Sequence, residues 1–127
     1  MITISDIGEK IYDNCRQFGV PIYLKGNIPD GEVTTERIVI YPTQIADGEY
    51  WLRCFVNVNW CVPDIDEAAS LRLKQIEHDL ANIYTGTGVI DGSAYTYNKD
   101  STEIAEDRDL KCHYVNVKLL FKIQKVK

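Results

Sequence analysis

The clearest indication of the fold class is a segment that alternates with a period of two: Tyr50-Trp51-Leu52-Arg53-Cys54-Phe55-Val56-Asn57-Val58-Asn59-Trp60-Cys61-Val62. Every even position is apolar, whereas the odd positions mix polar and apolar side chains. Successive side chains of a strand project to opposite faces, so this pattern predicts one long strand with one buried face. Pro63 and Asp64 are expected to end it.

Two segments with helical spacing flank this strand, and their apolar residues recur every three or four positions. Those of the first are Ile4, Ile7, Ile11, Cys15 and Phe18. Those of the second are Ile65, Ala69, Leu73, Ile76, Leu80 and Ile83. The expected N-terminal caps are Asp6 with Glu9, or alternatively Thr3 or Ser5, for the first helix and Asp64 with Glu67 for the second. The second helix is expected to close near residues 86–88.

Shorter β-prone segments complete the chain at residues 20–24, 37–41, 93–97 and 114–123. An Asp-Gly dipeptide at residues 91–92 is typical of a tight hairpin turn. The order of elements predicts an α+β fold: a mostly antiparallel sheet of about five strands with two helices packed on one face. With 127 residues, of which 45% are hydrophobic, the chain is expected to form a single α+β domain over residues 1–127.

Composition excludes several classes of function. The net charge is −5 and no basic cluster stands out, so sequence-specific nucleic-acid binding is not expected. No apolar run approaches the length of a membrane span, and the first ten residues lack the pattern of a secretory signal. The four cysteines form no C-x-x-C pair and are expected to be reduced thiols.

No motif predicts catalysis, a metal site or a cofactor site. Cys112 and His113 are neighbours, but adjacent strand residues point to opposite faces and cannot act as a pair. Asp64, Asp66 and Glu67 are acids at a helix start, where negative charge stabilises the helix. The prediction is therefore a protein without enzymatic activity; an enzyme using His113 or the acids of residues 64–67 is the least favoured alternative.

Two long polar segments are candidates for partner contacts, because long connections often carry binding. Residues 98–109 are predicted to be a solvated acidic loop whose candidate contact residues are Asp100, Glu103, Glu106, Asp107 and Asp109. Residues 25–36 are a second such loop, whose candidate interface residues are Lys25, Asn27, Asp30 and Glu32. The aromatic side chains of Trp51, Tyr95 and Tyr97, interpreted as solvated, favour the same reading.

The order and lengths of these elements resemble the tail-completion (tail terminator) proteins of long-tailed bacteriophages. The shared features are the first helix through Phe18, the entry Val20-Pro21-Ile22-Tyr23, the long strand of residues 51–60, the helix of residues 67–84, and the strand pair of residues 93–97 and 114–123. They span nearly the whole chain.

The resemblance implies a structural protein of the virion tail, assembled in the host cytoplasm, without catalysis. Members of that family form a ring, typically a hexamer, that contacts the tail tube and the head connector. It also implies that the acidic segment from Asp100 to Asp109 could face a lumen that conducts DNA, since like charge would let the duplex slide. The alternative is a small protein-binding adaptor or regulatory module of the same architecture.

Overall fold

A computed structural model describes residues 1–64 and 68–125, in which two helices pack against a seven-stranded sheet. The helices are α1 (Ile4–Cys15) and α2 (described from Ala68 to Leu80), and short 3-10 turns follow at Arg16–Phe18 and Ala81–Ile83. The strands are β1 (Ile22–Leu24), β2 (Arg37–Pro42), β3 (Ala46–Asp47), β4 (Trp51–Pro63), β5 (Thr85–Ile90), β6 (Ser93–Asp107) and β7 (Cys112–Gln124). The α+β class predicted from the sequence is confirmed.

The sheet is larger and more varied than expected, with the order β1-β2-β4-β7-β6-β5 and β3 beside β4. The prediction of about five mostly antiparallel strands is wrong in number, because β3 is only two residues long and β5 begins in the Thr-Gly-Thr-Gly stretch expected to close the second helix. It also misses that the sheet is mixed. β1 pairs with β2 in parallel, because residues 25–36 carry the chain back across the sheet before β2 begins.

The predicted long strand is confirmed as β4, which pairs with β7 along its whole length from Trp51–Gln124 to Pro63–Cys112. The even side chains of β4 and the odd side chains of β7 share one face, which we call the inner face. Both helices cover it. The fully buried side chains of this single core include Ile7, Ile11, Val56, Val58, Ile76, Leu80, Val117, Leu119 and Phe121.

The start of α1 is capped by Thr3, one of the alternatives predicted. Its hydroxyl accepts from the amide of Asp6 at 3.2 Å, and the Asp6 carboxylate accepts from the amide of Thr3 at 2.9 Å. The hydrogen bond from the Thr3 amide, and to a smaller extent the Thr3 side chain, lower the pKa of the Asp6 carboxyl group. The predicted cap of the second helix involves Glu67, which lies outside the described residues.

A charged clasp fastens α2 to the sheet and to the end of the loop before β2. Arg72 on α2 donates from Nε and Nη2 to the two carboxylate oxygens of Glu36, both at 2.8 Å. Trp60 Nε1 donates to the same carboxylate at 3.0 Å. Hydrogen bonding by Arg72, more than by Trp60, lowers the pKa of Glu36. The ring of Phe18 packs against that of Trp60, with 5.1 Å between their centres.

Tyr97 is a core residue, so its interpretation as a solvated aromatic is wrong. It opposes Phe121 on the inner face, stacks on that ring at 5.4 Å and is only 1% exposed. Its hydroxyl accepts a hydrogen bond from Asn14 of α1 at 2.6 Å. Tyr95 lies on the same face of the sheet, is half-buried and stacks on the Phe121 ring at 4.7 Å, whereas Trp51 is 37% exposed as expected.

Candidate interaction surface

The acidic segment predicted as a solvated loop is strand for most of its length, and that prediction is wrong. β6 continues to Asp107 and pairs with β7 as far as Asp107–Cys112, with a bulge between Lys99 and Ser101. This segment forms a strand because β7 offers it a complete row of backbone hydrogen-bonding partners. β7 is itself held in place by β4 along its other edge. Only residues 108–111 form a turn, which includes Asp109.

Beyond Lys99, β6 has a strand on one side only. β5 stops pairing at Asn98, and the amide of Lys99 donates to the carbonyl of Tyr84 at 2.7 Å. In the part of the chain that the structure describes, no strand covers the other edge from Asp100 to Asp107. We call this stretch with its carboxylates Asp100, Glu103, Glu106 and Asp107 the acidic edge.

The four carboxylates of the acidic edge have different surroundings. Glu103 and Asp107 share the outer face of the sheet, opposite to the helices, because they oppose Asn116 and Cys112. Glu106 opposes His113 on the inner face. Asp100 occupies the bulge. Except for the half-buried Asp107, these side chains are exposed, so most of the charge along this edge is open to a partner.

Asp107 also shapes the turn of the hairpin. Its carboxylate accepts from the amide of Leu110 at 3.1 Å, and Lys111 adopts a left-handed backbone with φ of 52°. A polar side chain that caps the turn in this way stabilises its geometry. Asp107 is therefore a structural residue as well as an acidic one.

The two predicted contact segments meet at this turn. Val33 of the 25–36 loop donates its amide to the carbonyl of Leu110 at 2.8 Å, and Glu32 forms an ion pair with Lys111 at 3.0 Å. Val33 is buried beside Cys61 and Cys112 on the outer face. Of the four candidate residues of that loop, Glu32 thus lies at the hairpin turn. The exposed Lys25, Asn27 and Asp30 make no such contact with the turn in the described residues.

His113 lies in a cluster of acids that sequence reasoning did not assemble. Its Nδ1 lies 2.5 Å from Asp64, and its Nε2 lies 3.7 Å from Glu106. An Asp–His pair of this kind orients a general base only if the other ring nitrogen faces a nucleophile or substrate. Here that nitrogen faces a second carboxylate, so the geometry fits a structural role in which His113 holds two acids together at the end of the sheet. Alternation along the strand correctly placed His113 and Cys112 on opposite faces of the sheet. The pairing register of β6 and β7 was needed to show that Glu106 lies beside His113.

All four cysteines are buried free thiols, and Cys15 and Cys54 lie in the core as predicted. Burial raises the pKa of Cys15 to about 12, and burial, with Cys61 beside it, raises that of Cys112 to about 12. A thiol with such a pKa stays protonated and is a poor nucleophile.

Within residues 1–64 and 68–125, no group of three or more His, Cys, Asp or Glu side chains is placed to hold a metal ion.

The outer face of the sheet carries a row of positive charge beside the acidic edge. Arg53 of β4 lies directly opposite Lys122 of β7. Lys118 lies on the same face, with its Nζ 4.2 Å from the centre of the Phe55 ring. Arg53 is exposed and both lysines are half-buried. We call these three side chains the basic stripe.

No family model and no curated protein matches this sequence. Five chains among solved structures match the fold. One of them aligns with a TM-score of 0.69 over 100% of this chain and 99% of its own length, at 12% sequence identity, and its description names no activity. This likeness shows that the whole chain adopts a fold already seen in a protein of almost the same length. None of the described helices is long and apolar enough to cross a lipid bilayer.

Proposed function

We propose that this chain is a structural subunit that assembles with copies of itself into a ring, as the tail-completion subunit at the head–tail junction of a long-tailed phage or prophage. The observation that carries the proposal is the acidic edge, a long strand edge that is unpaired in the described residues and bears charge of one sign. An exposed strand edge is a ready site for association with another chain.

The sign of the charge selects the kind of association. If two copies joined through the same edge, Asp100 and Glu103 of one would face acids of the other, and like charges opposite each other destabilise a strand pair. A contact between the acidic edge and a different surface of the next copy avoids this cost. Such head-to-tail contacts produce rings when the rotation closes. The edge therefore favours a ring over an isologous dimer.

The resemblance to tail-completion proteins supports the same function. It rests on a helix, a short strand, a long strand, a second helix and a final strand pair, and the fold contains these elements in that order. In a hexameric ring, the hairpin turn with Asp107 and Asp109 would face the lumen, where like charge lets DNA pass. Partners of the ring would be the tail tube and the connector. Its places would be the host cytoplasm during assembly and then the virion tail.

The test is the mass of the purified protein in solution, measured by light scattering over a wide range of concentration and followed by electron microscopy of the largest species. We expect a monomer that converts to a closed ring as the concentration rises. A protein that remains monomeric throughout, both alone and with isolated tail tubes, would contradict the proposal and favour the adaptor alternative.

A further inference from the structure

The basic stripe has an unusual arrangement for an exposed sheet face. Arg53 and Lys122 oppose each other across β4 and β7, although like charges directly opposite destabilise a strand pair. In the described residues, none of the ion pairs includes Arg53, Lys118 or Lys122. Positive charge is thus concentrated on one face without a carboxylate partner among those residues.

The acidic edge lies on the strand next to the stripe, and the register decides which of their side chains stand directly opposite each other. Lys118 faces Ser101, Lys122 faces Thr96, and Glu103 faces Asn116. No acid of β6 therefore lies directly opposite a lysine of β7. Both surfaces keep their charge available to another molecule.

We propose that the acidic edge of one copy, through Asp100 and Glu103, docks on the basic stripe of the next copy. This inference rests on the proposed function and names the two surfaces that join its subunits. The two surfaces differ in position as well as in charge, because the acidic edge runs along the open edge of β6 and the basic stripe lies on β4 and β7. Their contact is head-to-tail, as a ring requires.

Charge argues for a second copy rather than a nucleic acid as the occupant of the stripe. The chain as a whole carries a net charge of −5, and Glu103 and Asp107 lie on the same face as the stripe. A phosphate backbone docked on the stripe would meet these carboxylates, and recognition of phosphates requires a broad basic surface. A strand edge with two to four acids matches three basic side chains in size and sign.

Charge reversal tests the contact. The stripe variant carries Lys118→Glu with Lys122→Glu, and the edge variant carries Asp100→Lys with Glu103→Lys. In each variant alone, the side chains at positions 100 and 103 carry the same sign of charge as those at positions 118 and 122, so we expect loss of the assembled species at concentrations where the wild type forms it. Mixing the two variants should restore assembly through two kinds of contact. The unchanged acidic edge of the stripe variant can dock on the unchanged stripe of the edge variant. The reversed edge of the edge variant can dock on the reversed stripe of the stripe variant. A chain with all four changes should assemble by itself.

A control variant with Lys10→Glu on α1 and Lys74→Glu on α2 changes the net charge by the same amount as the stripe variant, and it should assemble as the wild type does. Circular dichroism and thermal melting verify that each variant folds. If the stripe variant does not fold, Lys118→Gln with Lys122→Gln takes its place, and rising salt should weaken assembly of the wild type because it screens exposed charges.

The outcomes separate the two proposals. If the wild type assembles and both reversal variants assemble equally well, the contact is wrong and the proposed function stands. If mixing folded variants that fail alone does not restore assembly, the contact is also wrong. If the wild type stays monomeric under all conditions, the proposed function fails together with the contact. If a short DNA duplex binds the wild type but not the stripe variant, the occupant is a nucleic acid and the contact is overturned.

Discussion

The two halves of β6 pair with the same strand but have opposite surroundings. Residues 95–98 lie between β5 and β7, and their inner side chains Tyr95 and Tyr97 stack on Phe121. From Asp100 to Asp107 the strand pairs with β7 and with no other strand among the described residues, and its side chains are mostly exposed. We expect the first half to supply stability and the second half to supply contacts with other molecules. Substitutions in the two halves should therefore affect stability and assembly differently.

Replacing Tyr97 by alanine should lower the free energy of unfolding by about 3–5 kcal/mol, because it removes a fully buried aromatic ring. Tyr97→Phe keeps the ring and loses only the hydrogen bond from Asn14, at a cost of about 1 kcal/mol. Ile104 lies in the second half and is 48% exposed, so Ile104→Ala should cost less than about 1 kcal/mol. Urea denaturation measures all three, and equal costs for Tyr97→Ala and Ile104→Ala would contradict the division.

Gly86→Ala should cost about 1–3 kcal/mol by forcing a methyl group into filled space. A Cβ at Gly86 would lie 2.2 Å from the nearest atom of the Tyr97 ring, which is held between α1 and Phe121 and cannot move aside. Gly88→Ala is the matched control, because the ring it would meet belongs to Tyr95, which is half-buried where Tyr97 is fully buried. Thermal melting of both variants checks this, and an equal loss at the two glycines would mean that Tyr97 is not fixed.

Periodicity in the sequence identified the covered part of the sheet well, because burial on one face imposes a period that can be read locally. The even residues of β4 are examples, as are Ile7 and Ile11 of α1 and Leu73, Ile76 and Leu80 of α2, whereas Ile4 is 39% exposed and Ile65 lies outside the described residues. The open half of β6 carries many charges and has no such period. It is ordered by backbone pairing with β7, a long-range contact that leaves little mark on its own side chains. Thr102 and Ile104, two residues apart, were the only local hint of a strand.

The contacts that join distant segments were beyond the reach of sequence spacing. Glu36 and Arg72 are 36 residues apart, and the register that brings Glu106 to His113 depends on a bulge near Asp100. Nothing in either local sequence predicts its partner. Of the candidate acids of residues 100–109, Asp107 is half-buried and the others are exposed, and their arrangement along one strand edge emerged only from the fold.

Glu36→Gln should cost about 1–2 kcal/mol at neutral pH, because it removes one charge from a partly exposed ion pair that clasps α2 to the covered part of the sheet. Since folding lowers the pKa of Glu36 below its ordinary value of 4.5, its contribution is present above that value. It is lost as the pH falls through the lowered pKa of the folded state. The difference in the free energy of unfolding between wild type and variant should therefore become smaller in acid.

Urea denaturation of both proteins at neutral pH and at several values below 4.5 measures this narrowing. Glu32→Gln is the control, because its ion pair with Lys111 is well exposed and should contribute little. A gap that stays constant across the acid range would show that the Glu36 carboxylate is not what holds the clasp.

The smallest effect on stability is expected in the open half of β6. Asp100→Ser and Glu103→Ser should each change the free energy of unfolding by less than about 0.5 kcal/mol, because both side chains are exposed. Adding Asp107→Ser should cost about 0.5–1.5 kcal/mol more, since Asp107 holds the amide of Leu110 in the turn. Denaturation and light scattering on the same samples separate the two properties. The first two changes should leave stability intact while reducing assembly, whereas a large loss of stability from them would mean that this edge is packed against the protein and not open to a partner.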